Sequence, residues 1–292
     1  MKLIRTIPDL RRHITRIKAG RHTIGFVPTM GALHEGHLSL VAASRRRCDI
    51  TVVSVFVNPT QFGPGEDYRR YPRTLRRDAA LCRKAGVDLL FIPSVDAIYP
   101  MGPPGDTIRP PGDLIHVDAG PLGTVLEGAS RPGHFNGVAT VVLKLLNLIQ
   151  PNRLFLGQKD YQQTLVIKQL IRSFHLDVDV TVCPTIREPD GLAMSSRNRY
   201  LNRRERQAAL LLSQALAAGA AQLRHGERSA GALRTTMRKA LEQSPMIRVD
   251  YLTVCDPDTL TPLRRVGKKA LLTIAARIGA TRLIDNVLLN AD

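Results

Sequence analysis

Apolar and polar positions in the first 185 residues alternate between short apolar runs and longer stretches with helical periodicity. Short apolar runs predict buried strands, and an apolar residue at every third or fourth position predicts an amphipathic helix. The predicted strands are Thr23–Val27, Ile50–Val57, Val87–Ile92, Arg153–Leu156 and Val178–Val182, and the predicted helices are His37–Arg47, Thr74–Ala85, Phe135–Leu148 and Tyr161–Phe174. This alternation indicates an α/β fold, with a parallel sheet that carries helices on both faces.

The pattern changes at a turn signal, Glu188-Pro189-Asp190-Gly191. Beyond it, two helical stretches are followed by three strand-like ones, at residues 203–225, 230–243, 248–255, 270–276 and 281–288. Helices and strands in separate runs are typical of an α+β arrangement. We therefore predict a larger N-terminal domain, residues 1–185, and a smaller α+β C-terminal domain, residues 186–292. Residues 100–113, rich in Pro and Gly, are predicted to form a loop or flap.

Composition narrows the class of protein. Hydrophobic residues make up 43% of the chain, enough for a full core, but no apolar run reaches the ~18 residues of a membrane span. Pro8 and Asp9 interrupt the first residues before a long apolar region forms, so no signal peptide is expected. The four cysteines are too far apart in sequence for a metal clip or a redox pair. We expect a cytoplasmic protein with no membrane partner.

The net charge of +17 raises the alternative of an RNA-binding module. The charge is dispersed, however: residues 1–185 carry 24 Lys or Arg against 15 Asp or Glu, and residues 186–292 carry 18 against 10. Aromatic residues are only 4% of the chain and Trp is absent, so a base-stacking platform is not expected. We expect no nucleic-acid partner, although RNA affinity that falls steeply with salt would contradict this.

The richest chemistry lies in Pro28–His37, which follows the first predicted strand and contains Gly31, His34 and His37. Strand, glycine turn and helix start in succession create unpaired backbone N–H groups that bind anions. Two imidazoles beside them can donate hydrogen bonds to a phosphate chain. A metal site is a weaker alternative because zinc-protease helices use His-Glu-x-x-His and no third ligand is evident here; two plain surface histidines are the other alternative.

Polar loops follow three more predicted strands, and the carboxyl ends of parallel strands share one edge of a sheet. Asn58-Pro59-Thr60-Gln61 could be only a turn, and Gly157 to Gln163 could be only a helix start capped by Asp160. As functional loops they offer Lys159 for phosphate and the amides of Gln61 and Gln163 for hydroxyls or carboxylates. The third loop is Pro184-Thr185-Ile186.

Two further segments have both a functional and a structural interpretation. Met194-Ser195-Ser196-Arg197-Asn198 is either an anion clamp or a polar linker. Glu127, Arg131 and His134 precede an apolar helix, where they either begin the helix or form one wall of a pocket.

Taken in order, the segments Pro28–His37, Phe56–Phe62, Tyr71–Thr74, Gly157–Gln163 and Gly191–Asn198 resemble the pantothenate synthetases (pantoate–β-alanine ligases) over nearly the whole chain. The resemblance implies a Rossmann-type N-terminal domain and a C-terminal lid. It also implies a two-step reaction, in which pantoate and ATP give pantoyl adenylate and pyrophosphate, and β-alanine then releases pantothenate and AMP. Family members are Mg2+-dependent, cytosolic and typically homodimeric.

The resemblance also implies roles for individual residues. His34 and His37 match histidines that contact ATP phosphates, with His37 at the position of a proton donor. The remaining implied ATP contacts are Met30, Gly31, Gly157, Lys159, Asp160, Ile186, Met194, Ser195, Ser196 and Arg197, of which the catalytic ones are Lys159 and Arg197 besides the two histidines. The implied pantoate or β-alanine contacts are Gln61, Gln163, Asn58 and Arg131.

The chain departs from some relatives after Tyr71-Pro72-Arg73-Thr74, where neighbouring acids are replaced by Arg76-Arg77-Asp78. Only Asp78 remains as a Mg2+ candidate. An adenylyltransferase that keeps AMP in its product is the alternative enzyme, and nucleotide analysis with and without the amine separates the two.

Overall fold

The chain, seen in a computed structural model that describes residues 1–100 and 115–290, forms two compact units. The larger unit contains a six-stranded sheet in which all strand pairs are parallel and the order is β1-β4-β3-β2-β5-β6. Its strands are β1 (Lys2–Ile4), β2 (Ile24–Thr29), β3 (Ile50–Val55), β4 (Leu89–Phe91), β5 (Arg153–Gly157) and β6 (Asp179–Cys183). The predicted α/β class and parallel sheet are confirmed.

Helices cover both faces of this sheet because neighbouring strand residues point to opposite sides. Phe26 packs in one core with residues of α1 and α6, whereas the next residue, Val27, packs in another core with residues of α2. The helices are α1 (Ile7–Ala19), α2 (Glu35–Arg45), α3 (Leu75–Lys84), α4 (Val95–Ile98), α6 (His134–Ile149) and α7 (Tyr161–Ser173), with α5 (Glu127–Ser130) in the smaller unit.

Three elements of the larger unit were absent from the predictions: α1, β1 and the four-residue helix α4. Helix α1 has clear sequence signals that the prediction did not use. Thr6 caps it, Pro8 lies in its first turn, and Leu10 and Ile14 are buried at a spacing of four. Strand β1 has only three residues and only Ile4 is buried, so its local signal is weak. The loop or flap predicted at residues 100–113 lies outside the described residues from 101 onward.

The smaller unit has an antiparallel sheet of β7 (Ile247–Cys255), β8 (Lys269–Ile278) and β9 (Thr281–Asn290), in that order. Helices α8 (Arg203–Arg224) and α9 (Ala230–Leu241) contribute Leu212 and Leu233 to the same core as Leu272 of β8. These elements confirm the smaller α+β part of the predicted fold.

The smaller unit is assembled from separate stretches of chain: residues 125–130, 158–162 and 185 onward. The larger unit takes the remaining described residues up to 184. The functional domains 1–185 and 186–292 stay a prediction, and the structural division differs from them by the two short inner stretches and by Thr185. Among the described residues, none of the helices has the length and hydropathy needed to cross a membrane.

Candidate active site

The two predicted histidines lie where the chain leaves β2 and begins α2. His34 is the N-cap residue of α2, with extended backbone, and His37 is the third residue of the helix. Their ring centroids are 4.1 Å apart, and the backbone N–H of His34 points at His37 Nδ1 at 3.4 Å. The structure therefore brings both imidazoles to a helix N-terminus, where backbone donors and the helix dipole favour an anion.

The position of this helix start in the sheet also favours ligand binding. Strand β2 lies between β3 and β5, so the chain proceeds outward in opposite directions on its two sides. Open parallel sheets bind ligands at the carboxyl edge beside such a reversal of strand order. Gly31 and Ala32, which follow β2, both have positive φ, 83° and 51°. Ala32 is strained there because a left-handed conformation costs a non-glycine residue about 1–3 kcal/mol.

The Asp78 side chain, on α3, stabilises this turn. Its Oδ2 accepts the Ala32 N–H at 3.0 Å, its Oδ1 accepts the Leu33 N–H at 2.9 Å, and the Thr74 hydroxyl donates to Oδ1 at 3.1 Å. Asp78 is 1% exposed. A carboxylate so enclosed by donors does not fit the Mg2+ role expected of it, because Mg2+ needs oxygen lone pairs and room for its water ligands.

Gln61 follows β3 in a short 3-10 helix, Pro59–Gln61, and its amide is oriented by Asn58. Asn58 Nδ2 donates to Gln61 Oε1 at 3.1 Å, which leaves the Gln61 Nε2 donor directed at Met30 Sδ, 3.1 Å away. Asn58 Oδ1 accepts from the Tyr99 hydroxyl at 2.7 Å. Asn58 is 1% exposed, so the geometry gives it a positioning role; its predicted contact with substrate stays a prediction.

Gly137, on α6, shows why this loop and that helix can approach so closely. A Cβ on Gly137 would lie 2.3 Å from the Thr60 carbonyl oxygen. Asn58 Nδ2 donates to the Gly137 carbonyl at 3.1 Å. Because Gly137 has no side chain, the Asn58–Gln61 segment can lie directly against α6 at this position.

Arg131 and His134 hold the backbone of Gln61. Arg131 makes two 2.7 Å bonds to the Glu66 carboxylate and a third, at 3.3 Å, to the Gln61 carbonyl. His134 Nδ1 lies 2.7 Å from that same carbonyl oxygen. Burial alone would raise the pKa of Glu66, but the hydrogen bond and charge of Arg131 outweigh it and lower that pKa. The substrate contact predicted for Arg131 stays a prediction.

Two other predicted residues of the larger unit take simple places. Gly157 is the last residue of β5 and is paired in register with Cys183 of β6, at the carboxyl edge. Gln163 is half-buried in the first turn of α7.

In the smaller unit, Lys159 and Asp160 lie in a 3-10 turn, Gln158–Asp160, and form a loose ion pair at 3.6 Å. Asn286 of β9 fastens this turn: its Nδ2 donates to the carbonyls of Gln158 at 3.1 Å and Lys159 at 2.8 Å. Asn286 is 4% exposed, so these two hydrogen bonds to the backbone of the turn are buried inside the unit.

The remaining predicted nucleotide contacts lie on a hairpin of the smaller unit. The Met194 N–H donates to the Ile186 carbonyl at 3.0 Å, and Gly191, with φ of 93°, lies in the turn. Arg187 next to Ile186 forms a two-bond ion pair with Asp285 of β9, at 2.7 and 3.1 Å. Ser195, Ser196 and Arg197 follow directly, and the Ser195 hydroxyl accepts the Arg197 N–H at 3.3 Å.

Three residues that support this machinery were absent from the sequence-based predictions: Glu66, Asp285 and Asn286. Asp285 and Asn286 have a detectable signal, because adjacent polar residues at buried positions of a strand must find partners. No spacing rule could have named those partners, which lie 98 and 127 residues away.

Comparison with known proteins identifies the family. The family model for pantoate-β-alanine ligase matches residues 2–288. The chain belongs to the pantoate–β-alanine ligase family. Among curated members, the pantothenate synthetases of Chloroflexus aurantiacus and Moorella thermoacetica are 50% and 47% identical to it, covering all of this chain and 99% and 100% of those relatives.

Solved structures of pantoate–β-alanine ligases are similar to this chain in sequence and in fold. Pantothenate synthetase from Thermus thermophilus is 46% identical, with a TM-score of 0.91 over 98% of this chain and 99% of that one. The pantoate–β-alanine ligase of Francisella tularensis, described as a complex with β,γ-ATP and β-alanine, is 36% identical, with a TM-score of 0.78 over 99% of this chain and 97% of that one. This chain is therefore an enzyme of the pantoate–β-alanine ligase family.

Proposed function

We propose that this protein condenses pantoate with β-alanine at the expense of ATP, through a pantoyl-adenylate intermediate, and releases AMP and pyrophosphate. The match to the ligase family over residues 2–288 is the observation that carries this proposal. The paired His34 and His37 at the start of α2 support it, because a reaction at a phosphate needs donors at such a place.

The first step joins two anions, the pantoate carboxylate and the α-phosphate of ATP, so positioning and positive charge should dominate its catalysis. We assign phosphate contacts to His34, His37, Lys159 and Arg197. The other proposed nucleotide contacts are Met30, Gly31, Gly157, Asp160, Ile186, Met194, Ser195 and Ser196. Backbone N–H groups at the start of α2 add donors without further charge.

Pantoate and β-alanine need side-chain amides that hydrogen-bond to them more than they need further charged groups. We assign pantoate to Gln61 and Gln163, with β-alanine near Gln61. The orientation of the Gln61 amide supports this, because Asn58 occupies its oxygen and leaves Nε2 as the donor toward Met30. The second step needs a neutral amine, and we assign no residue as its general base.

We propose that Mg2+ accompanies ATP and is held by phosphate oxygens and water. Mg2+ commonly keeps several waters and takes few ligands from the protein.

We further propose a cytoplasmic homodimer. The four cysteines are free and three are buried, which suits a reducing compartment. The dimer rests on the family resemblance, and light scattering coupled to size exclusion tests it: a mass near twice 32.2 kDa is expected.

A nucleotide balance tests the proposed reaction. ATP, Mg2+ and pantoate alone should release about one pyrophosphate per site, and addition of β-alanine should then release AMP and restore turnover. Hydroxylamine in place of β-alanine should give a hydroxamate. ADP and phosphate would indicate an acyl-phosphate route, and AMP retained in the product would indicate an adenylyltransferase; either result contradicts the proposal.

A further inference from the structure

Asp78 is the one acidic residue that the sequence offered for Mg2+ after the Tyr71–Thr74 segment. In the structure its carboxylate accepts hydrogen bonds from the backbone instead. Both carboxylate oxygens face backbone N–H groups of the turn between β2 and α2, at 3.0 and 2.9 Å. A third donor, the Thr74 hydroxyl, shares Oδ1. N–H groups repel a cation, so a Mg2+ ion at these oxygens would have to displace the turn.

The same contacts explain how an unfavourable turn is kept in place. Gly31 and Ala32 both have positive φ, and Ala32 and Leu33 precede α2, whose helical bonds therefore do not use their N–H groups. Ala32 and Leu33 are each 1% exposed, so water does not satisfy these donors either. Asp78, carried by α3, supplies acceptors to both.

This turn determines where His34 begins the helix. His34 follows Leu33 directly, and His37 lies one helical turn further. Space around the turn is tight: a Cβ on Gly31 would lie 2.9 Å from Val55 Cγ1 and 3.1 Å from Asp78 Oδ2. The carboxylate therefore fixes the turn against β3, and through the turn it fixes the two imidazoles.

We propose that Asp78 is a positioning residue for adenylate formation, which holds the turn that aims His34 and His37, and that it is not a Mg2+ ligand. Its effect on the reaction rests on the proposed function. Its effect on the turn does not, and the two are measured separately.

The decisive variant is Asp78→Asn, which keeps the size of the side chain but presents an NH2 group to one of the two N–H donors. We expect kcat for pantoate-dependent ATP–pyrophosphate exchange to fall about 10- to 100-fold, as for a displaced catalytic group. The KM for pantoate should change less than about twofold because the Gln61 segment is held separately by Arg131 and His134.

Magnesium dependence distinguishes the two roles of Asp78. For a positioning residue, the Mg2+ concentration giving half-maximal rate stays within about twofold of wild type, and added Mg2+ or Mn2+ does not restore kcat. A tenfold or larger increase in that concentration, with recovery at saturating metal, would overturn the proposal and restore Asp78 as a metal ligand.

Two controls separate positioning from loss of stability. Thr74→Val removes only the third donor and should keep kcat within about threefold. Leu146→Ala, on the buried face of α6, lowers stability without touching the turn and should keep kcat near wild type below its melting temperature. A kcat loss in Leu146→Ala equal to that of Asp78→Asn at matched stability contradicts the proposal.

Amide hydrogen exchange tests the turn without any reaction. In wild type, the Ala32 and Leu33 amides should be protected although they lie outside helix and strand. In Asp78→Asn they should exchange at least tenfold faster than in Leu146→Ala at equal global stability. If Asp78→Asn does not fold, the wild-type measurement still decides: rapid exchange at both amides overturns the proposal. Protected amides without activity on pantoate would instead count against the proposed function alone.

Discussion

Several residues of the candidate site hold other residues of the site in place, and the sequence could name them without separating this role from the predicted ligand contacts. Asn58 and Arg131 are predicted to bind substrate, and in the structure their polar atoms also contact Gln61, Glu66, His134 and Tyr99. The side-chain direction decides the role, and direction depends on partners distant in sequence. His34 and His37 were predictable because their partner is the local helix start.

His37→Ala tests the residue whose catalytic role has the clearest support in the local sequence, its position at the start of α2. Loss of one donor to a transition state costs about 3 kcal/mol, so adenylate formation should slow about 100-fold while the melting temperature changes little. Single-turnover pyrophosphate release gives the rate. His22→Ala, an exposed histidine of the same unit, is the matched control and should retain full activity. Near-normal release by folded His37→Ala would remove His37 from catalysis.

Glu66 carries a pH-dependent share of stability. Its folded pKa is lowered, so its contribution is present above its ordinary value of 4.5 and is lost as pH falls through the lower folded pKa. At pH 7, Glu66→Gln should lower the free energy of unfolding by about 1.5–3 kcal/mol, the range for hydrogen bonds to charged groups. Denaturant titrations between pH 7 and 3 should show wild type and variant converging toward the acid end. A difference that stays constant over that range contradicts the assignment.

At the scale of elements, apolar patterning predicted the central strands and most helices well, and failed where other forces set the ends. The first strand was predicted to stop at Val27, where the apolar run ends, but Pro28 remains in the strand, opposite Ser54. A proline lacks only the N–H, and its carbonyl and extended φ still suit the last residues of a strand. Strand β1 was not predicted because its three residues are too few to show a periodic pattern.

Strand β9 shows how one element can anchor two predicted nucleotide segments of the smaller unit, through Asp285 to Arg187 and through Asn286 to Lys159. Asn286→Ala removes the two donors that fasten the Gln158–Asp160 turn. We expect kcat/KM for ATP to fall about tenfold, with the fold retained. Asn290→Ala, exposed at the end of the same strand, should leave kcat/KM unchanged. Equal kcat/KM in both variants would show that Lys159 does not depend on β9.

At the scale of the whole molecule, the sequence located two structural parts but not the way in which one is assembled. Glu127 was predicted to begin a helix or line a pocket. It is the first residue of α5, in a short stretch of the smaller unit. Its carboxylate bonds Arg282, 155 residues later, at 2.6 Å. Linear patterning cannot reveal such a pair, because its energy depends on burial that only the folded chain creates.

This buried pair gives the most stringent test of that assembly. Burial alone would lower the pKa of Arg282, but bonds to Glu127 and Asp250 outweigh it and raise that pKa, so the guanidinium stays charged inside the unit. Removing one partner of a buried pair costs about 3–5 kcal/mol, and the lower end of that range applies here because Asp250 still compensates part of the Arg282 charge. Glu127→Ala should therefore lower the unfolding free energy by about that amount, and amide exchange should accelerate first in β7 and β9.

Asp179→Ala is the control: it breaks the exposed pair with Arg153 and should cost less than about 1 kcal/mol. If the two variants destabilise equally, or if exchange in Glu127→Ala accelerates first in the six-stranded sheet, residues 125–130 do not belong to the smaller unit.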